Sequence, residues 1–409
     1  MKAIIVGAGI NGLTTAIELS KRGHKVTLVD PGPIPHPLAA STDISKAIRA
    51  AYGADEDYTA LAERSIVLWR EWNKEFGVEL YHETGVVFLR QRPMRPGDFE
   101  YESCKVLEKR GHKFERIDSA RLRERFPAFN PELINDGFFD AEAGYVESGR
   151  VVATLAERAR SLGVELCERA KFISLDEKDR RPTVILSEVE ESRGGSFRAI
   201  SRDLSTSLGM TRIVGDAVVM TLGAWTPYAL PFTRNFFRAT GHPMFHLKPS
   251  EPALFLPERF PFFGADISTT GYYGFPLNQG VVKIANHGPG REMSPDSADR
   301  LVTPQEENDL RDFLRSTIPA LANAPILYTR VCMYCDTHDG DFWIAPDPDR
   351  LGLVVATGDC GHGFKFAPVL GEIIADVAEG KSNPLLQKFR WRPDVRAGEQ
   401  KEAARFQPQ

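Results

Sequence analysis

Lys2-Ala3-Ile4-Ile5-Val6-Gly7-Ala8-Gly9-Ile10-Asn11-Gly12 begins a stretch that runs on to Asp30 (KAIIVGAGINGLTTAIELSKRGHKVTLVD, residues 2–30) and sets the architecture of the chain. A short apolar run at 3–6 reads as a strand. Ile10, Leu13 and Ile17 recur at helical spacing, and residues 26–29 form a second apolar run. Between the first strand and the helix lies G-x-G-x-x-G, with Gly7, Gly9 and Gly12 in the glycine positions. Glycines there permit a tight turn and let a pyrophosphate approach the helix N-terminus, where free N–H groups and the helix dipole favour an anion. Asp30 closes the second strand 18 residues after Gly12, placed to bind a ribose hydroxyl, and Ala16, Leu19 and Gly23 extend the pattern. The reading is a dinucleotide-binding strand–turn–helix–strand unit.

Working outward, a helix is expected over residues 58–76 with Gly77 as its C-cap, and a strand over 86–89. Ser148 suits the N-cap of a helix closed by Gly163. Strands are expected at 183–186, 217–221 and 351–357, and Pro368 opens a helix that carries Val369, Leu370, Ile373, Ile374 and Val377. Residues 232–261, rich in aromatics and prolines, suit a strand-and-loop domain. With strand–turn–helix units at both ends, a discontinuous nucleotide domain is expected over 1–88, 147–231 and 338–391. A substrate domain then takes 89–146 and 232–337, and 392–409 is a loosely held polar tail. Residues 187–212, dense in Ser, Glu and Arg, read as a surface insertion, with a lid over the active site as the other open reading.

The chain has 409 residues, long enough for two or three domains, and 42% are apolar, enough for a substantial core. Fifty-one Lys and Arg against 56 Asp and Glu leave a net charge of −5, which gives no basic footprint for nucleic acid or anionic lipid. No apolar run approaches the ~20 residues of a membrane span. No secretory signal is expected, since Lys2 leads straight into the first strand, and five cysteines do not make a disulfide framework. The expectation is a cytoplasmic enzyme with a small-molecule substrate, as a monomer or small homo-oligomer. Between FAD and NAD, the N-terminal position of the motif favours FAD, and Thr357-Gly358-Asp359 after a buried strand offers backbone N–H groups to a flavin.

Further landmarks follow in order: Lys46-Ala47-Ile48-Arg49 with Tyr52-Gly53, Leu222-Gly223-Ala224-Trp225, Tyr272-Tyr273-Gly274-Phe275-Pro276, and Lys283 with His287. Cys332-Met333-Tyr334-Cys335 and Gly361-His362-Gly363-Phe364-Lys365-Phe366 complete the set. On these the chain resembles the monomeric sarcosine oxidase group of flavoproteins, which includes N-methyltryptophan, pipecolate and fructosyl-amino-acid oxidases. The resemblance implies an α/β fold: a Rossmann-like FAD-binding domain of the glutathione-reductase type with an inserted α+β substrate domain. It implies FAD joined covalently through Cys332, a carboxylate held by Arg49 and Lys365, dioxygen activated by Lys283, and a pocket lined by Tyr273 and His287. It extends the cofactor contacts to Ser41, Thr42, Lys46, Trp225, Gly361, Gly363 and Lys365. The chain departs from sarcosine oxidase at Lys46 and Thr42, where that enzyme has an arginine and a histidine. Ser41-Thr42-Asp43 and Phe389-Arg390-Trp391-Arg392-Pro393-Asp394 look closer to the pipecolate and fructosyl-amino-acid branch.

Other readings of these residues stay open. Cys332 and Cys335 with His338 and Cys360 could form a metal site, or the two cysteines a redox dithiol. Arg49 could be a surface charge, and Tyr273 and His287 could be core residues. Lys283 between Val281-Val282 and Ile284-Ala285 is a charge inside an apolar strand, which favours function. The expected reaction is oxidation of a secondary amine, with hydride transfer to flavin, hydrolysis of the imine, and reduction of O2 to H2O2. The alternatives are a flavin-dependent dehydrogenase with another electron acceptor and a non-catalytic nucleotide-binding sensor.

Overall fold

A computed structural model of the chain describes residues 1–176, 182–188, 210–395 and 402–405. The chain forms two compact units. One comprises Met1–Thr42, Gly149–Ala239 and Tyr334–Gln400; the other comprises Asp43–Ser148, Thr240–Met333 and Lys401–Gln409.

The first unit is built on a six-stranded sheet. Its order is Trp343–Pro346, Leu353–Thr357, Ala217–Met220, Lys2–Val6, Lys25–Val29 and Glu165–Cys167, with the first strand antiparallel and the rest parallel. Ala217–Met220 and Leu353–Thr357 are buried along their whole length, as strands covered on both faces must be. Helices Ile10–Lys21 and Ala367–Ala378 pack so closely that a Cβ at Gly371 would lie 2.8 Å from the Cβ of Thr14. Pro368 stands in the first turn of the second helix, where its missing N–H costs no hydrogen bond. A three-stranded antiparallel sheet of Ala170–Asp176, Thr183–Glu188 and Met210–Val214 adds Val184, Leu186 and Ile213 to the apolar core.

The second unit centres on a mixed nine-stranded sheet that includes Val86–Arg90, Phe262–Ala265, Tyr272–Gly274, Val282–Asn286 and Arg238–Leu247. Phe245, Phe255 and Phe260 from the expected strand-and-loop region join its core, where Phe260 stacks on Phe129 at 4.9 Å and Phe263, just beyond that region, meets Phe129 edge-on at 5.0 Å. Helix Glu56–Phe76 starts at Asp55, whose carboxylate accepts the Tyr58 N–H at 3.0 Å, and ends at Gly77 with φ +64°. Both ends match the sequence reading within two residues.

Several boundaries differ from expectation, among them 232–239 and 334–337, which belong to the first unit. Residues 43–88 belong to the second unit. Lys46–Ile48 pairs with Gly144–Val146, and Val86–Arg90 pairs with both Phe262–Ala265 and Asp136–Asp140. Those partners are distant in sequence, so apolar spacing alone did not reveal them. The tail from 392 is tied down where it is described. Arg392 is buried and forks onto Asp339 at 2.8 and 3.0 Å, and Arg405 is buried in the second unit. The expected insertion lies largely outside the described residues, but its ends do not: Ser187 pairs with Met210 and Leu186 with Thr211, so both flanks are strand.

The Ser187–Met210 pairing places two strand ends one hairpin turn apart. Replacing residues 188–209 with Asn-Gly is expected to give soluble protein whose Tm is unchanged or slightly raised, because loop closure changes by only ~0.6 kcal/mol per doubling of length. Differential scanning calorimetry checks this; a large drop in Tm would show that the segment carries stabilising contacts.

Candidate functional site

The glycine turn comes first. Strand Lys2–Val6 delivers Gly7 at φ +107°, where a Cβ would lie 2.5 Å from the carbonyl oxygen of Thr221. A Cβ at Gly12 would lie 1.9 Å from the carbonyl oxygen of Gly7, so only glycine lets the helix start this close to the strand. Gly9 is the N-cap and supplies no side-chain cap, while the Ile10 N–H donates to Ser41 Oγ at 3.0 Å. Asp30 is buried and held as an acceptor by the Ala8 N–H at 2.8 Å and the Gly32 N–H at 3.0 Å. Burial pushes its carboxyl up, against those two N–H groups.

A second turn in this unit meets the first. Asn11 Nδ2 donates to Asp359 at 3.3 Å, and Asn11 Oδ1 is a buried acceptor left without a partner. Asp359 follows strand Leu353–Thr357 and is pushed up by burial. Gly361 sits at φ +78° with Tyr334 against its α-carbon, and Gly363 follows. Lys365 is buried in the short helix Phe364–Phe366, its Nζ donating to the carbonyl of His362 at 2.7 Å. Trp225 ends the helix Gly223–Trp225 with its ring 6.0 Å from that of His36. Thr42 lies at the end of the same segment as Ser41, its N–H donating to the carbonyl of Ala39 at 3.1 Å. Sequence reasoning found the glycines and Asp30 but gave no role to Asn11. The only signal for it was its place inside the motif.

The second unit holds a buried ionic cluster. Lys283, 1% exposed, lies on strand Val282–Asn286 opposite His246, and both point at Asp43. Its Nζ donates to the Asp43 carboxylate and, at 2.7 Å, to the carbonyl of Ser45. The ring of Phe275 is 4.8 Å from the ammonium. Burial pushes Lys283 down to about 8, with Asp43 opposing. Burial acts to raise the Asp43 carboxyl, but Lys283, His246 and Lys46 together hold it far below the usual carboxylate range. Lys46, 3.9 Å from Asp43, also lies 3.9 Å from Cys332 Sγ. Burial opposes a thiolate at Cys332, yet Lys46 and Arg330 outweigh it and bring the thiol below its ordinary value. Cys335, three residues on along strand Ile326–Asp336, faces the other way into the core of the first unit, and burial pushes it up to about 12. Among the described residues, no three His, Cys, Asp or Glu side chains are placed to hold a metal ion.

Arg49, just beyond strand Lys46–Ile48, is 5% exposed, so it is no surface charge. Its guanidinium lies 4.4 Å above the Tyr52 ring, with Phe99 at 5.5 Å, and donates to the carbonyl of Ala51. It reaches Glu402 Oε1 at 3.4 Å, while the other oxygen of that carboxylate pairs with His287 Nε2 at 2.8 Å. Tyr273 stands edge-on to His287 at 6.3 Å. Three expected pocket residues, Arg49, His287 and Tyr273, are thus neighbours within one unit. Sequence reasoning missed Glu402, which carries no motif.

A family model described as FAD dependent oxidoreductase (DAO) matches residues 2–377. The chain is 28% identical over 391 residues to monomeric sarcosine oxidase from Bacillus sp. (strain B-0618), covering 92% of this chain and 91% of that one. It is likewise 28% identical over 384 residues to N-methyl-L-tryptophan oxidase from Salmonella heidelberg (strain SL476), covering 93% and 95%. Among solved structures, fructosyl amine: oxygen oxidoreductase (Amadoriase I) from Aspergillus fumigatus superposes with a TM-score of 0.79 at 22% identity, covering 100% of this chain and 93% of that one.

The buried lysine predicts a pH signature. With its folded pKa near 8 and its ordinary value at 10.5, Lys283 binds fewer protons folded than unfolded between those limits, so its contribution to stability rises with pH there. Relative to Lys283→Met, wild-type protein should gain roughly 3 kcal/mol of unfolding free energy from pH 8 to 10.5, at about 1.4 kcal/mol per pH unit. Urea unfolding of both proteins across this range checks it. Parallel pH profiles would mean that Lys283 is not displaced downward.

Proposed function

Because this chain belongs to the DAO family of FAD-dependent oxidoreductases, we propose that it is an oxidase of secondary amines that carry a carboxylate. In the net reaction the amine loses one hydrogen from carbon and one from nitrogen and becomes an imine, which water hydrolyses, while O2 gains both hydrogens as H2O2. The relatives named for sarcosine, N-methyltryptophan and fructosyl amines support the substrate class. The observation that carries the reading is the set of buried Asp43, Lys283 and Cys332 with the partly buried Lys46, which places a buried ammonium paired with a carboxylate near a thiol shifted below its ordinary value.

The residues present fit FAD. The glycine turn leaves no room for a side chain, the N-cap Gly9 itself offers the helix no side-chain acceptor, and Asn11 Oδ1 is a buried acceptor in need of a donor. Gly7, Gly9 and Gly12 would hold the pyrophosphate, Asp30 a ribose, and Ser41, Thr42, Lys46, Trp225, Gly361, Gly363 and Lys365 the remainder. When bound, FAD supplies a two-electron acceptor for the hydride. Cys332 is the proposed point of covalent attachment, since a thiolate is the nucleophile that can add to an electron-poor ring.

The side chains do the rest. Arg49 is buried against aromatic rings, so a substrate carboxylate would meet it in a medium of low dielectric, where the ion pair is strong. Lys365 is a second buried cation for the same class of ligand. Apolar surroundings favour the neutral amine, whose lone pair assists loss of hydride from the adjacent carbon. Tyr273 and His287 shape the pocket around it. Lys283 stays cationic at neutral pH because Asp43 offsets its burial, and so supplies positive charge where dioxygen takes on electrons. None of the five cysteines forms a disulfide, which suits a cytoplasmic compartment.

Aerobic assay of the holoenzyme against N-substituted amino acids should release one peroxide per amine oxidised. Bleaching without air but no peroxide in air would instead identify a dehydrogenase, and no bleaching by any amine a binding protein. For the attachment point, acid-precipitated wild-type and Cys335→Ser protein should retain FAD by mass, and Cys332→Ser should release it. Flavin retained by the Cys332 variant would overturn the assignment.

A further inference from the structure

The tail brings a carboxylate to the place where the proposed function needs an anion. Glu402 is 4% exposed at its side chain, with one oxygen at 3.4 Å from Arg49 and the other at 2.8 Å from His287. That is how a bound carboxylate would bridge the two residues. The segment is anchored on the C-terminal side of this contact. Arg405, itself buried, donates to the carbonyls of Gly288 at 3.0 Å and Pro289 at 3.3 Å, immediately after His287. Ala403 lies against Gly53, where an added Cβ would be 3.2 Å from its methyl group, and Ala404 is 1% exposed. A carboxylate is held this deeply only where its charge is compensated, and Arg49 with His287 faces it here.

We propose that Glu402 is an internal competitor for the anionic subsite of Arg49 and His287, and so a specificity-determining residue. The inference rests on the reading of Arg49 as the carboxylate partner. A substrate carboxylate must displace Glu402 before it reaches Arg49, and apparent affinity falls by the fraction of molecules in which the subsite is open. If the segment occupies the subsite nine-tenths of the time, weak carboxylates bind about tenfold less tightly than they otherwise would. Substrates with a second anchoring group gain most from the arrangement, because they can offset the displacement while a small acid cannot.

Sodium acetate is the probe, and its stabilisation of the full-length holoenzyme, read as a Tm shift, reports binding without turnover. In Glu402→Gln, and in a chain ended after Val395, the acetate affinity read from Tm against concentration should rise about tenfold over wild type. Adding Arg49→Ala should abolish the gain. KM for the best oxidised amino acid should fall with kcat unchanged, and KM for its methyl ester should stay fixed, which a merely structural role for Glu402 would not produce. Equal acetate affinity with and without Glu402, lost in Arg49→Ala, would overturn the competition and leave the Arg49 reading standing. Acetate binding that survives Arg49→Ala, or no acetate effect in any variant, would overturn both.

Discussion

Asp43 is the constraint around which the second unit organises its charge. It is buried, and it neutralises Lys283, with Lys46 and His246 alongside. An ammonium as deeply buried as that of Lys283 is not stable in an apolar sheet unless a carboxylate and further acceptors replace its water. Asp43 and the carbonyl of Ser45 supply both from a single turn. One carboxylate facing two lysines leaves a local excess of positive charge, and that excess acts on Cys332 through Lys46. Removing Asp43 would leave two cations to repel one another and the Lys283 ammonium buried without its counter-charge.

Strand geometry does the complementary work for the two cysteines. An odd spacing along an extended chain sends side chains to opposite faces, so Cys332 and Cys335 cannot share an environment. One meets cations and its thiol is shifted down. The other enters apolar packing with Trp343 and Val355 and is shifted up to about 12. The two thiols therefore lie on opposite faces of one strand, which the spacing alone did not tell.

Much of the first unit was legible because its information is local. The glycine turn, the first helix and both flanking strands lie within thirty residues, and each constraint has a residue type that satisfies it, such as Gly12 beneath the carbonyl of Gly7. The same holds for helix Glu56–Phe76, whose Asp55 and Gly77 caps are encoded at its ends. The partners of the candidate site were not legible. Asp43 and Lys283 are 240 residues apart, and Arg49 and Glu402 are separated by 353, and no periodicity encodes such pairs. Residues 43–88 fell in the wrong unit for the same reason: their strand partners at 136–146 and 262–265 are set by tertiary pairing. The family resemblance supplied candidate residues but not their neighbours.

What the neighbours add is a limit on which ligands the site can accept. Arg49 is held from four directions, by Tyr52, Phe99, the carbonyl of Ala51 and Glu402, and only the last is a charge. The aromatic and carbonyl contacts fix the guanidinium in place whether or not Glu402 stays, so a ligand that displaces Glu402 finds a preorganised partner and does not have to order one. His287 is likewise fixed by its backbone, its N–H bonded to the carbonyl of Gly271 at 2.7 Å. The exchange of one carboxylate for another therefore conserves charge in a buried site, which is the least costly way for such a site to change occupants. A neutral or cationic ligand at this position would leave Arg49 uncompensated, so if Arg49 is the carboxylate partner proposed above, the electrostatics of this unit would favour acids.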